Sequence, residues 1–468
     1  MSFPSYLEYF SSSIDNVSVA RFKVQPTSNS DVQAHQSIQF LLPQNALLDF
    51  RKTRIVFQVT TTGTYARLPT MASSYFNRIS VEVGGQQISA FEHANVLDHI
   101  LRDNLQVESD PVNEKAIISR KNNPVTLLAA DNETYADDDN KAYFSIDLGT
   151  LARSIQPSIV ALQYLPQVSI TLHLAENAIC PSPSNVDTAA NFKADAAAQT
   201  TYTIKNAAMM VDVYDIQGSD LLAIYQQTMM DQGFLELTYS HWSSFSDTFN
   251  AVTRASSSAM SLKKLVATFR RSSAKRPLPH AFNSINGVIP VVGYNNDLLA
   301  SLANVGTQAS PVLGMPATQG TEYESAFFTM TAPVNNANAE ANTALPKAGD
   351  ADPQLNFSIN NVKYPSYNCP LHQWYDITKS GWNIRRTKSN SLAEWHTNRF
   401  SICQRFDLPD SSALRLMSGL NLKASNAAIA LEITGNSSSA TTDDNVLLFL
   451  ESDAIVRVGA GKQIQILH

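Results

Sequence analysis

Arg270, Arg271, Lys275 and Arg276 form the densest basic cluster in the chain. Cations grouped in this way can reach phosphates or carboxylates, so they mark a loop that could face a nucleic acid or a protein partner. The same charges could equally end a strand and solvate the loop after it. Asp137, Asp138 and Asp139, with Asp131 and Glu133 close by, offer carboxylate oxygens to calcium. The stretch lacks the glycine and the spaced ligand ladder of a calcium loop, and it reads as a solvated loop tip. Gly459-Ala460-Gly461-Lys462 has the ending of a phosphate loop. Such a loop needs Gly where Val456 stands and Ser or Thr where Gln463 stands, so the segment reads as a turn between two strands.

Other chemistries find less support. The nine histidines contain no His-Glu-x-x-His spacing, and His93 and His99 lie six apart on opposite faces of one helix. Cys180, Cys369 and Cys403 are far apart and lack a C-x-x-C pair, which argues against both a disulfide framework and a zinc site. No G-x-S-x-G elbow occurs. No catalytic, cofactor-binding or metal-binding residue is assigned, and no cofactor is expected. Sequons at Asn16, Asn132, Asn356 and Asn436 are discounted because no signal peptide is evident.

A chain of 468 residues exceeds one ordinary core, and its length favours two or three domains. It is 44% hydrophobic and only 16% charged. Much of the surface must then be Ser, Thr, Asn, Gln and Ala, which suits packing against other copies. The net charge of -7 argues against a general coat for nucleic acid. The longest apolar run, Val446 to Val458, is broken by Glu451 and Asp453, so no membrane-spanning helix is predicted. A soluble protein made in a reducing compartment is the expectation.

The organising stretch runs from Thr201 to Trp242. Tyr202 to Tyr214 is extended, Leu221, Leu222, Tyr225, Thr228 and Met229 recur at helical spacing, Gly233 ends that helix, and Phe234 to Tyr239 starts a second extended run. On either side the same parts recur in the same order. Arg54 to Thr60, Arg78 to Val83, Ala142 to Leu148 and Val168 to Leu174 alternate as strands, and Gly84-Gly85 suits a tight hairpin. His93 to Leu105 is helical after that hairpin. Past the seam, Phe234 to His241, Leu262 to Arg270 and Pro353 to Ile359 lead to an Asn360-Asn361 turn, Val362 to Tyr367, and a helix from Leu371 to Lys379. Asn398 to Phe406, Leu422 to Ile433, Asn445 to Val458 and a short end piece complete the second set.

The chain therefore reads as all-β, one sandwich or jelly-roll fold present twice, with short helices and long surface loops. The boundaries are an N-terminal arm at 1–30, a first roll at 31–218, a helical connector at 219–232, and a second roll at 233–468 with a long insertion at about 277–352. The arm, with Tyr6, Leu7, Tyr9 and Phe10 clustered, reads either as a segment that docks on something else or as a first strand with a frayed end.

The order of parts resembles the double jelly-roll major capsid proteins of double-stranded DNA viruses. The resemblance is carried by the seam, with its Tyr-x-Ile strand, V-D-V-Y and FLELTYSHW. It extends to SLKKLVATFR (Ser261 to Arg270), LNFSINNVKYPSY (Leu355 to Tyr367) and SGLNLKASNAAIALEI (Ser418 to Ile433). Size and loops are more similar to the polinton-like viruses and virophages than to the largest members of the nucleocytoplasmic large DNA virus lineage. The resemblance implies two tandem eight-stranded jelly-roll barrels in each chain and a homotrimer forming a pseudo-hexagonal capsomer that tiles an icosahedral shell around the genome, with the N-terminal arm ordering only inside an assembled particle. Neighbouring capsomers, penton proteins and minor capsid proteins are the implied partners, the virion is the implied location, and neither enzymatic activity nor sequence-specific nucleic-acid binding is implied. Two rival readings remain: a tandem β-sandwich lectin stacking sugars on Trp242, Trp374, Trp382 and Trp395, and a glycoside hydrolase using Glu236 and Glu432.

Overall fold

The computed structural model describes residues 17–28, 31–61, 72–105, 141–179, 201–216, 229–248, 252–270, 353–382, 400–408, 418–423, 427–434 and 445–467, with Gln227, Phe328, Met330, Ala332 and Trp395. The first set of strands is β1 (Val17–Val24), β2 (Val32–Gln33), β3 (Ser37–Leu41), β4 (Leu47–Asp49), β5 (Arg54–Thr61), β6 (Phe76–Val83), β7 (Gln86–Ser89), β8 (Lys141–Asp147), β9 (Ile159–Ala161), β10 (Val168–Leu174) and β11 (Tyr202–Ile216). The second set is β12 (Phe234–Thr248), β13 (Val252–Ser257), β14 (Leu262–Arg270), β15 (Gln354–Ile359), β16 (Val362–Pro370), β17 (Ile402–Arg405), β18 (Ala427–Thr434), β19 (Asn445–Gly459) and β20 (Ile464–Leu467). Among the described residues, the helices α1 (Ala94–Leu105), α2 (Gly149–Ser154) and α3 (Leu371–Gly381) lie between strands.

Each set closes into two facing antiparallel sheets. In the first, β1 and β2 run along one side of β11, β4 and β5 run along the other, and β9 and β8 continue outward. Counting each broken strand as one, that sheet follows the order first, eighth, third, sixth. The facing sheet, β3-β10-β6-β7, is second, seventh, fourth, fifth. The second set gives β12-β19-β14-β17 and β13-β18-β15-β16, which is the same pair of orders with β20 added beside β19. This is the jelly-roll connectivity, repeated. In both rolls a helix follows directly on the hairpin of the smaller sheet, α1 after β7 and α3 after β16.

Local sequence explains the elements. β10 alternates without exception, Val168, Ile170, Leu172 and Leu174 buried and the residues between them half exposed. Gly84 (φ +58°) and Gly85 (φ +79°) make the β6–β7 turn, and Asn360 and Asn361 take positive φ in the β15–β16 turn. In α1, Val96, Leu97, Ile100 and Leu101 are buried on one stripe. In the connector, Met229–Gln232 are helical, and the Gly233 N–H donates to Met229 O (3.0 Å) as the chain turns through φ +78°.

The sequence reading differs at several places, among them α2, which it does not announce, and the predicted strand from Leu422, which begins only at Ala427. Residues 17–24, assigned to the arm, form a strand that pairs with β11 of the first roll; residues 1–16 lie outside the described set. β13 is a strand that the sequence does not announce, because in Val-Thr-Arg-Ala-Ser-Ser the inward positions are Thr253 and Ala255, too small and polar to show alternation. β12 extends to Thr248, well past His241, because β19 pairs with it along its whole length. The polar loop at 106–140 and the insertion at 277–352 fall almost wholly outside the described residues, where only Phe328, Met330 and Ala332 of the insertion are placed.

Candidate functional site

The seam between the rolls is where the second roll's strands meet the first roll's loops and helices. Gln156 and Thr238 exchange both backbone hydrogen bonds (2.8 and 2.9 Å). Tyr239 Oη donates to Ile88 O (2.9 Å), and Ser240 N–H donates to Ser154 Oγ (3.0 Å) in α2. Burial raises the Tyr239 pKa, so the phenol stays a donor. Around these bonds Leu237, Tyr239 and Val456 belong to the same buried apolar cluster as Phe50, Val83, Ile88 and Leu151. A Cβ on Gly84 would lie 2.9 Å from Pro166 Cγ and 3.3 Å from Ile464 Cδ1, so the β6–β7 turn sits tight between the first roll and β20 of the second. One apolar cluster consequently contains the interior of the first roll together with Trp242, Val266, Leu447 and Phe449 of the second. A separate cluster, with Phe357, Trp374 and Phe400, fills the second roll.

Two ion networks flank this seam. Arg153 of α2 forks onto Asp147 (3.0 and 3.2 Å) and reaches Asp98 of α1 (3.1 Å). Burial works against its charge, but the two carboxylates outweigh it and hold the pKa above the ordinary arginine value. In the second roll Lys264 Nζ lies 2.7 Å from Glu451, and Lys263 lies 2.9 Å from Asp453. Burial favours neutral Glu451, yet Lys264 and then Lys263 outweigh that and keep its pKa below the usual carboxylate value. Cys403 is enclosed beside this pair, and burial pushes its thiol up to about 12. Such networks hold elements in register and offer no open reacting position.

Of the predicted basic loop, only Arg270 is among the described residues. It is not on a loop. It is the last residue of β14, paired in register with Asn445 and 3% exposed. The sheet is covered on both faces there, burial lowers the arginine's pKa, and the opposing charge is Glu176 of the first roll. Arg271, Lys275 and Arg276, like the acidic cluster at 131–139, lie outside the described residues. Gly459–Lys462 is the turn from β19 into β20, closed by Gly459 N–H to Gln463 O (2.8 Å). His93 stands at positive φ just before α1, whereas His99 is buried in it, 2.9 Å from Ser74 Oγ and stacked on Phe328. No group of metal-ligating side chains occurs among the described residues. Cys369 and Cys403 are buried free thiols.

Comparison with solved structures fits this geometry. PBCV-1 VP54, in a crystal structure fitted into a cryo-EM reconstruction of the virophage Sputnik, aligns over 99% of this chain and 100% of its own, with a TM-score of 0.58 and 12% identity. A quasi-atomic model of the PBCV-1 virus capsid aligns over 99% and 100%, with a TM-score of 0.56 and 13% identity. The Faustovirus major capsid protein aligns over 97% and 92%, with a TM-score of 0.50 and 10% identity. This chain has the double jelly-roll fold of viral major capsid proteins. No family model matches its sequence, and no curated protein does.

Within the double jelly roll the residues of the rival readings are otherwise engaged. Trp242, Trp374, Trp382 and Trp395 are all at most 3% exposed, so none is a stacking platform for a sugar. Trp374 Nε1 donates to Leu355 O (2.8 Å) inside the second core. Glu236 and Glu432 stand on different sheets, each in a cross-strand ion pair, with Arg457 (2.7 Å) and Lys363 (3.2 Å). The Asn356 side chain is 2% exposed and donates to Pro365 O and Tyr367 O, which closes that sequon to a glycan. Ser154 and Gln156 of the seam are residues that the sequence does not single out, whereas Tyr239 reads only as part of the extended run from Phe234. The first two lie in segments without alternation, and Tyr239 looks like any inward strand residue.

Proposed function

We propose that this chain is a major capsid protein, and that three copies form a pseudo-hexagonal capsomer which tiles an icosahedral shell around a double-stranded DNA genome. The observation that carries the reading is the repeated strand order, in a chain that aligns over 99% of its length with 100% of PBCV-1 VP54. Two similar rolls held as one body by a shared apolar cluster are half-way to a hexagon's symmetry, because three-fold closure of two units per chain gives six. The low charge content leaves surfaces that pack against copies at little desolvation cost. In this reading the chain works through surfaces rather than by catalysis, with neighbouring capsomers, penton proteins and minor capsid proteins as partners and the virion as its location. Light scattering on the purified chain tests it. A mass of three times 51.3 kDa, or of larger assemblies, is the expected result. A monodisperse single chain at all concentrations would refute it.

A further inference from the structure

β1 is an anomaly in the first roll. It pairs with β11 on one side and has no second strand neighbour among the described residues. Ser18 to Lys23 are exposed, so both faces of the strand are open, and Val19 and Phe22 are 54% and 53% exposed. An eight-residue edge with uncovered apolar side chains is a template for a further strand. Arg21 and Lys23 also make it basic, with Arg21 forked onto Asp212.

We propose that Tyr6 to Phe10 of the same chain pair antiparallel along the free edge of β1. The sixteen residues before β1 contain Glu8 and Asp15 and no Lys or Arg, so they complement its charge. Ser11 to Asn16, Ser-Ser-Ser-Ile-Asp-Asn, is rich in turn formers and long enough to reverse the chain. With Phe10 opposite Val19, Leu7 falls opposite Phe22, and Glu8 falls opposite Arg21 and diagonal to Lys23. That register gives each exposed apolar residue an apolar partner on its own face. The tether makes the same chain the favoured occupant through its high effective concentration. The proposal is independent of the capsid reading.

A Tyr9→Cys/Ala20→Cys pair tests it, since it leaves the three matched contacts intact. Under mild oxidation the pair should close within one chain at a rate independent of protein concentration, and Glu8→Lys should slow closure several-fold. Cross-links only between chains would overturn the same-chain assignment in favour of a second copy. Failure to cross-link at all would overturn the pairing itself. Deleting residues 1–12 supplies a second readout. Amide exchange at Val19 to Phe22 should speed at least tenfold, and unchanged exchange would also count against the proposal.

Discussion

The two rolls share a strand order but bury their large sheets differently. In the second roll, β19 is buried on both faces through Val446–Leu450, so that Val-Leu-Leu-Phe-Leu has no solvent side. Leu448 and Leu450 serve the second core, while Leu447 and Phe449 join the cluster of the first roll. The corresponding sheet of the first roll ends in β1, open on both faces. The eighth strand of the second roll is thus a shared wall, whereas the first strand of the first roll is an uncovered edge. A continuous apolar run marks a strand covered twice, and mixed alternation marks one that borders solvent.

The sharpest break in this comparison is a core deletion in each roll. Trp374→Ala removes a fully buried ring that stands edge-on to Phe357. Phe144→Ala removes one stacked on Phe57. Each should cost about 3–5 kcal/mol. Because the first cluster crosses the seam, calorimetry should show both substitutions lowering one common transition. Two transitions, each responding to one substitution alone, would mean that the rolls are energetically separate.

Next in size is the buried pair of the second roll. Lys264→Met leaves the Glu451 charge enclosed and should cost about 3 kcal/mol or more, whereas Lys264→Met/Glu451→Leu should recover most of that loss. The folded-state pKa of Glu451 lies below its ordinary 4.5. Its contribution is therefore present above that ordinary value and is lost as pH falls through the folded value. Denaturant titrations of the wild type and Lys264→Met should accordingly converge on acidification, and a gap that widens in acid would contradict the pairing.

At the seam, Tyr239→Phe removes one inter-roll hydrogen bond and leaves Ile88 O unpaired, for about 1 kcal/mol. The smallest effect is kinetic. Cys403, held protonated by burial, should resist thiol reagents at neutral pH until the second roll opens. Rapid labelling of the native chain at this position would show the sheet to be less closed than its geometry states.

Much of this fold was legible because strands that border a core alternate. Val168–Leu174 and Ala427–Thr434 reveal themselves in this way, and Gly84-Gly85, Asn360-Asn361 and Gly233 mark their turns and stops. What escaped was of two kinds. Strands with small or solvent-facing residues, β1 and β13, carry no periodic signal, since hydrogen bonds to a neighbour define them. Positions such as Arg270 and the four tryptophans have types that suggest surface chemistry, and only the fold around them reveals that they are buried. Spacing along the chain registers neighbours in sequence, and the seam is made by residues about 80 to 150 positions apart, such as Ser154 with Ser240 and Ile88 with Tyr239.

The most direct test of the account is negative-stain electron microscopy of the purified chain. Particles with a hexagonal outline and three-fold symmetry, or closed shells built from them, are the predicted result, with six equivalent densities contributed by three pairs of rolls. Single two-lobed particles at every concentration, with no ring and no shell, would contradict it.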